Sequence, residues 1–264
     1  MIKIEQVLSY LKNGHAPIDH TVDELLVGQP EKEVTKIATT FNASIDVIKQ
    51  AIEQGIELII SHEGIYYSHR GIPNGLESHE VYNKKNELIV ANKLAIFRYH
   101  DYIHQSFPDP ITLGLVKQLM WHNEKVVHQP FSAVVSFSTT QSLNSVIDHI
   151  KKQLQLPSLR LTGPVDMLVN HAGILVGYRG GATNALPLIA QYQLDLLIVG
   201  EAQEWETAEY IVDCNAAGIK KAMITVGHMP SEAYGMKLLA DQLQKQFPTL
   251  DVTFLENKLS YQTI

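Results

Sequence analysis

Short apolar runs alternate along this chain with stretches of helical spacing. The run over 56–61, IELIIS, is apolar on both faces, which is typical of a strand buried in a sheet. Before it, apolar residues over 44–55 repeat at helical spacing, with Ser44 placed as an N-cap and Gly55 as a C-terminal stop. A further buried strand is predicted over 93–100. This strand–helix–strand order predicts a parallel sheet joined by crossovers.

The second half of the chain repeats this alternation. Apolar runs predict buried strands over 194–200 and 221–228, with a helix over 205–217 between them. The chain is therefore assigned to the α/β class. We expect a first α/β lobe over 1–125 and a second over 126–264, whose last segment is free to pack back on the first.

An internal match suggests that the two lobes share an ancestral unit. IELIISHE (56–63) lines up with LDLLIVGE (194–201), and KLAIFRYH (93–100) with KAMITVGH (221–228). Buried strands share an apolar alphabet, so chance remains an alternative, but the polar residues after the strands match as well. We therefore favour two similar lobes, built from a pseudo-duplicated strand–helix unit and facing each other across a cleft. The matched polar residues are Glu63 with Glu201, His100 with His228, and His104 with Glu232.

Length and composition limit the classes of protein that need to be considered. A chain of 264 residues suffices for one large α/β domain or two smaller ones. The formal net charge of −7 argues against nonspecific binding to nucleic acid or to anionic membranes. No apolar stretch approaches the ~20 residues that span a bilayer, and residues 1–14 are typical of an amphipathic helix rather than a signal peptide. A single cysteine excludes an internal disulfide and favours the reducing cytoplasm.

Side chains of metal-ligand type follow four of the predicted strands. In open α/β sheets, ligands gather at the carboxyl ends of the strands. Imidazole and carboxylate together suit divalent Zn, Mn, Fe or Ni, and such an ion acidifies bound water and polarises a phosphoryl or carbonyl oxygen. The residues concerned are His62 with Glu63, His100 with His104, Glu201, and His228 with Glu232.

Each of these pieces also has a purely structural interpretation. His62 and Glu63, taken alone, are better explained as a solvated strand end. Glu232 follows Ser231, a natural N-cap, and a carboxylate in the first turn of a helix is favoured by the helix dipole. Glu201 belongs to a small acidic cluster that is usual at a solvated helix start. The joint placement of these residues is what favours a metal site.

Two further features predict structure rather than chemistry. The stretch GYRGGA (177–182) lacks the Walker lysine and the glycine spacing of a dinucleotide site. A glycine-rich turn before a helix can still bind an anion through backbone N–H groups, but a simple turn is the favoured interpretation. Cys214 lies within a predicted helix and is expected to be a small core residue.

Four stretches carry a resemblance to a known family. VDELLVGQP (22–30) is similar to an early Asp-x-x-Gly-Leu-x-x-Gly stretch, and LIISHEG (58–64) stands where a strand ends in His-His-Pro. RYHDYIH (98–104) stands where the pattern has His-Thr-Asn-Leu-Asp, and VGHMPSE (226–232) matches Gly-His with a glutamate four residues on. Together they cover most of the chain, which resembles the NIF-three-like family, often labelled GTP cyclohydrolase 1 type 2 homologues.

The resemblance implies two α/β lobes with a dinuclear metal centre in the cleft between them, and a homohexamer. Glu63 departs from the pattern because it stands where a second histidine is usual, and His104 stands where an aspartate is usual. An aspartate can bridge two metals and a neutral imidazole cannot, so either Glu63 takes over the bridge or the chain holds one ion or none. The implied metal ligands are His62, Glu63, His104, His228 and Glu232.

The function predicted on this basis is a divalent-metal-dependent hydrolase of a small phosphate- or nucleotide-type substrate, with one or two ions bound. Glu201 or His100 is expected to act as the general base or to orient a ligand. The alternative is a non-catalytic metal-binding, metal-handling or scaffold protein, and a third interpretation is a degenerate relative that keeps the fold without metal. No membrane or nucleic-acid partner is expected.

Overall fold

The computed structural model describes residues 2–262. Contacts divide the chain into two compact units. Unit 1 comprises Met1–Ser106 and Met236–Lys258, and unit 2 comprises Phe107–Gly235 and Leu259–Ile264. These units are discontinuous in sequence, and the boundary predicted after residue 125 stays a prediction.

Strands and helices alternate along the described residues. The strands are β1 (Ile2–Lys3), β2 (Leu25–Val27), β3 (Glu33–Val34), β4 (Lys36–Thr40), β5 (Leu58–Ser61), β6 (Ala95–Arg98), β7 (Lys125–Gln129), β8 (Ser132–Ser142), β9 (Arg160–Thr162), β10 (Leu168–Leu175), β11 (Leu196–Val199), β12 (Ala222–Thr225) and β13 (Asp251–Phe254). The α-helices are α1 (Ile4–Lys12), α2 (Ile45–Gln54), α3 (Glu80–Ala91), α4 (Pro110–Gln118), α5 (Leu143–Leu154), α6 (Ala182–Tyr192), α7 (Glu209–Ala216) and α8 (His228–Gln246). Single 3-10 turns lie at Leu76–Ser78, Ile103–Gln105 and Trp121–Asn123, and a π-helical turn at Glu204–Ala208.

Each unit is organised around one main sheet, and unit 1 also contains the antiparallel pair β1-β3. The sheet of unit 1 has the order β13-β4-β5-β6-β2, with four parallel strands and β2 antiparallel at one edge. The sheet of unit 2 has the order β7-β8-β10-β11-β12-β9, with β10, β11 and β12 parallel and antiparallel strands on both sides. The α/β class predicted from the sequence is confirmed.

The two units share a strand–helix order. Unit 1 contains β4-α2-β5-α3-β6 and unit 2 contains β10-α6-β11-α7-β12, and in each case the three strands are parallel neighbours. The strands that the internal match pairs are β5 with β11 and β6 with β12. They occupy corresponding places in the two sheets, which supports the pseudo-duplicated unit.

The local signals around α2 predict its ends well. The Ser44 side chain accepts a hydrogen bond from the Val47 N–H, and Gly55 adopts the left-handed conformation with φ of 70°. Both positions act as the sequence predicts, because a cap needs only residues within one turn of the helix end.

Two predicted helices differ from the structure. The predicted helix 205–217 opens with the π-helical turn Glu204–Ala208 before α7 begins. The helix that Ser231 was predicted to cap begins earlier, at His228, so the interpretation of Ser231 as its N-cap is wrong. Ser231 Oγ instead donates to the His228 carbonyl oxygen at 2.6 Å and accepts from the Gly177 N–H at 2.9 Å.

Three of the central strands are fully buried. Every residue of β5, β6 and β11 is buried, as their mostly apolar patterns predict. Cys214 lies in α7 and is 7% exposed, so its expected place in the core is confirmed. Within residues 2–262, none of the helices combines the length and the apolar character that crossing a bilayer requires.

Candidate metal centre

The strand ends of unit 1 bring two polar segments to the same edge of the sheet. β5 and β6 are parallel neighbours with Ser61 opposite Arg98, so the residues that follow each strand leave the sheet together. The His62 N–H continues the ladder to the Thr40 carbonyl at 3.1 Å, and the Glu63 N–H reaches the Phe41 carbonyl at 2.8 Å. His62 therefore has a fixed place beside the segment after β6.

Three imidazoles converge at this edge. We call His62, His100 and His104 the histidine cluster, because one ligand nitrogen from each lies within 4.8 Å of the others. The His62 and His100 rings stack with centroids 4.5 Å apart, and the His104 ring meets both edge-on at 5.1 Å. Three imidazole nitrogens are the protein ligands of many catalytic zinc sites.

Hydrogen bonds fix the protonation of two of these rings. His62 Nδ1 lies 3.2 Å from the Tyr99 carbonyl oxygen, which can only accept, so Nδ1 carries the proton. His100 Nδ1 lies 3.0 Å from Asp101 Oδ1 and donates to it in the same way. In a neutral ring this leaves the lone pair on Nε2, the arrangement in which a carbonyl or carboxylate orients a metal-binding histidine.

His100 is neutral under ordinary conditions. Burial, reinforced by the neighbouring His62 and His104, outweighs the Asp101 hydrogen bond and lowers the pKa of His100 to about 3. A neutral imidazole is the form that binds a metal, so this ring does not need to lose a proton first.

Asp23 holds the segment that carries His100. Its buried carboxylate accepts three consecutive backbone N–H groups, from His100 at 2.7 Å, Asp101 at 2.8 Å and Tyr102 at 3.0 Å. Sequence analysis missed this role, although Asp23 lies in the first stretch that resembles the family. Nothing in that stretch indicates which backbone groups its carboxylate holds.

A buried arginine lies beside Glu63. The Arg98 side chain is 4% exposed, and its Nη2 donates to Glu63 Oε2 at 2.7 Å and lies 3.1 Å from His69 Nδ1. Glu63 Oε1 lies 3.7 Å from His100 Nε2. Glu63, His69 and His100 form a second group whose ligand atoms lie within 4.8 Å of one another. Neither Arg98 nor His69 was predicted as a site residue, but a charged residue inside the apolar run of β6 is a usable signal, because arginine is seldom buried without a partner.

Unit 2 brings together the other three predicted residues. Glu201 follows β11, and His228 follows β12 at the start of α8. His228 Nδ1 lies 3.1 Å from Glu201 Oε2, and Nε2 lies 3.1 Å from Glu232 Oε2, one helical turn along α8. Burial opposes a charge on His228, but the hydrogen bonds and charges of Glu232 and Glu201 together raise its pKa to about 9. In the absence of metal this histidine is therefore protonated at neutral pH.

The glycine-rich turn after β10 closes on this pair. Gly177 has φ of 58°, and a Cβ there would collide with the Glu232 carboxylate and crowd His228 Nε2. The helix that follows has its N-terminus occupied from within the chain, because the Ala182 N–H donates to Glu206 Oε2 at 2.8 Å. The favoured interpretation of this stretch as a turn thus agrees with the structure. The sequence did not predict that the turn packs against Glu232 and His228.

Each unit brings its own predicted site residues together. Within unit 1 these are His62, Glu63, His100 and His104, and within unit 2 they are Glu201, His228 and Glu232. The fold and these side chains define an α/β protein with candidate metal-binding groups at its strand ends. The identity and number of ions, and the role of each residue, stay predictions.

Comparisons with known proteins identify the family. The family model of Duf34/NIF3 (NGG1p interacting factor 3) matches residues 3–260, so the chain belongs to this family. A GTP cyclohydrolase 1 type 2 homolog of Chlamydia pneumoniae is 28% identical over 246 residues, which are 90% of each chain. A protein of the same name from Pasteurella multocida is 24% identical over 260 residues, 96% of each chain. A solved Bacillus cereus protein related to NIF3 shares the fold, with a TM-score of 0.75 at 12% identity over 99% of this chain and 98% of its own.

Proposed function

We propose that this protein is a divalent-metal-dependent hydrolase acting on a small phosphate- or nucleotide-type substrate. The observation that carries the proposal is the histidine cluster, in which His62 and His100 carry their protons on Nδ1, so that the lone pair of each neutral ring is on Nε2. A divalent ion bound there would lower the pKa of a water molecule and polarise a phosphoryl oxygen.

The surroundings of the predicted bases separate their roles. A general base works best with a pKa near the working pH, and His100, with a pKa of about 3, is a poor base at neutral pH. We therefore propose His100 as a ligand. Glu201 has a side chain that is 43% exposed and contacts His228 Nδ1 at 3.1 Å. It can orient His228 through this contact, so we propose that Glu201 orients His228.

A cavity in unit 1 supports a small-molecule substrate. It measures about 380 Å³ and is lined in part by Tyr66, His69, Arg70 and Arg98, two of which belong to the surroundings of Glu63. This volume falls in the range of ordinary ligand pockets. The Arg70 guanidinium, whose Nη1 donates to the His20 carbonyl at 2.9 Å, presents a fixed positive charge and a fork of N–H donors that suit an anionic group.

Turnover by reloaded protein tests the proposal. Metal-depleted protein, reconstituted separately with Zn, Mn, Fe and Ni, should hydrolyse at least one member of a phosphoester and nucleotide panel, which includes GTP because of the name of the relatives. His104→Ala should reduce that rate at least 100-fold, as expected for loss of a ligand. The exposed His122 supplies a matched control, and His122→Ala should retain full activity.

The second candidate function is non-catalytic metal binding or scaffolding. It is favoured by the ion pair between Arg98 and Glu63, which places a charge partner where the family pattern has a second histidine. Protein that binds metal stoichiometrically through the histidine cluster but turns over no member of the panel would support this candidate and reject the hydrolase.

We also propose a cytoplasmic homohexamer without nucleic-acid or membrane partners. The family resemblance supports the hexamer, and the net charge of −7 supports the absence of polyanionic partners. Light scattering coupled to size exclusion should give six chain masses, and a monomeric or dimeric mass at micromolar concentration would reject the hexamer.

A further inference from the structure

The two candidate groups of unit 1 compete for one ligand atom. The histidine cluster and the group of Glu63, His69 and His100 both include His100. With its Nδ1 proton donated to Asp101, neutral His100 has a single lone pair, on Nε2. One lone pair binds one ion, so only one of the two groups can have a complete set of ligands.

Arg98 decides between the two groups. Its guanidinium cannot lose its charge in a protein and is 4% exposed. It contacts two members of the second group, with Nη2 2.7 Å from Glu63 Oε2 and 3.1 Å from His69 Nδ1. Arg98 thus occupies one carboxylate oxygen of Glu63 and one ring nitrogen of His69 by hydrogen bonding. Its positive charge also repels a second cation at this position.

The remaining contacts of Arg98 hold it in this position. Nη1 donates to the His69 carbonyl at 2.5 Å, and Nε lies 3.4 Å from the His62 carbonyl. The same guanidinium therefore links the backbone on both sides of Glu63. A group with so many fixed contacts is not displaced by a metal without loss of several hydrogen bonds at once.

We propose that unit 1 holds one metal ion, on His62, His100 and His104, and that Glu63 is the ion-pair partner of Arg98 rather than a metal ligand. The inference rests on the proposed metal binding and specifies that unit 1 holds a single ion. The second ion of the dinuclear centre that the resemblance implies does not fit beside Glu63. The two departures then belong together: His104 replaces an aspartate to complete a set of three imidazoles, and Glu63 replaces a histidine to pair with Arg98.

The position of bound metal tests the inference directly. Crystals of the full chain loaded with Zn should give an anomalous peak among the Nε2 atoms of the histidine cluster, and none among Glu63, His69 and His100. A peak in that second group would overturn the inference and leave metal binding intact. Absence of any bound Zn, in crystals and by elemental analysis, would overturn the proposed function as well.

Zn affinities of variants give a second readout. Glu63→Gln keeps a hydrogen-bond acceptor for Arg98 and should leave the Zn dissociation constant within about 3-fold of the parent protein, as should His69→Ala. His104→Ala should weaken binding by at least 100-fold, which shows that the assay detects a lost ligand. A loss of 10-fold or more in Glu63→Gln, with the thermal unfolding of its metal-free form unchanged, would show that Glu63 is a ligand and reject the inference.

Discussion

At the scale of single residues, the partners of each imidazole decide its chemistry more than its position after a strand. His100 and His228 occupy matched places in the internal alignment, yet burial among imidazoles lowers the pKa of His100 to about 3, and two carboxylates raise that of His228 to about 9. One ring is ready to bind a metal at neutral pH, and the other must first release a proton.

The low pKa of His100 predicts an acid sensitivity of the metal-free protein. Below pH 6.5 the unfolded chain binds a proton that folded His100 takes up only near pH 3, so stability falls as the pH falls through this window. One such group contributes a slope of up to about 1.4 kcal/mol per pH unit. The free energy of unfolding, measured with urea between pH 7.5 and pH 5, should depend less steeply on pH in His100→Gln than in the parent protein. An equal pH dependence in the two proteins would contradict the lowered pKa of His100. His122 is exposed, so His122→Gln is the control and should behave like the parent.

The carboxylate of Asp23 predicts a coupling between stability and the site. Asp23→Ala leaves the N–H groups of His100, Asp101 and Tyr102 without this acceptor. The free energy of unfolding should fall by about 3 kcal/mol, the scale of losing hydrogen bonds to a buried charge. Zn affinity should fall at least 10-fold because His100 and the turn that carries His104 lose their anchor. Asp19, which is exposed, gives the control Asp19→Ala, and both quantities should be unchanged in it.

At the scale of elements, local signals predict where a helix ends but not what its end is used for. Ser44 and Gly55 cap α2 as predicted, since each acts within one turn. The turn over 177–182 was predicted from its glycines, whereas its approach to Glu232, 55 positions away from Gly177, depends on how α8 packs against it. Such a contact has no signature in the sequence of the turn itself.

Substitutions at two glycines distinguish the cost of backbone strain from the cost of a steric collision. Gly177→Ala adds a Cβ at φ of 58° that would overlap the Glu232 carboxylate, whereas Gly218, with φ of 81°, has no heavy atom within 4 Å of an added Cβ. Gly218→Ala should lower the free energy of unfolding by about 1 kcal/mol through strain alone. Gly177→Ala should cost at least about 2 kcal/mol more, because a side chain or the turn must move.

The same substitution should change the protonation of His228. In the metal-free parent, NMR titration should place the pKa of His228 near 9, and Gly177→Ala should lower it because the Glu232 carboxylate is displaced. Gly218→Ala should leave it unchanged. An unaltered His228 titration in Gly177→Ala would show that the turn does not control this ion pair.

At the scale of the whole molecule, metal binding should appear as folding stability. An ion that binds the folded chain but not the unfolded chain raises the free energy of unfolding by about 2.7 kcal/mol when its free concentration is 100 times its dissociation constant. The unfolding temperature of metal-depleted protein should therefore rise when Zn is added and return to its original value when a chelator removes the Zn. The shift should be absent in His104→Ala at the same concentration. A parent protein whose unfolding does not respond to Zn would contradict a site formed by folding.

The sequence by itself determined the alternation of strands and helices, the α/β class, the caps of α2 and the kinds of side chain at the strand ends. These features arise from periodicity and from contacts within a few residues, so they can be read along the chain. The tertiary structure decided which atoms each side chain meets. Arg98 reaches Glu63 across 35 positions because β5 and β6 are neighbours in register, and this pairing gives Glu63 a buried cation as its partner.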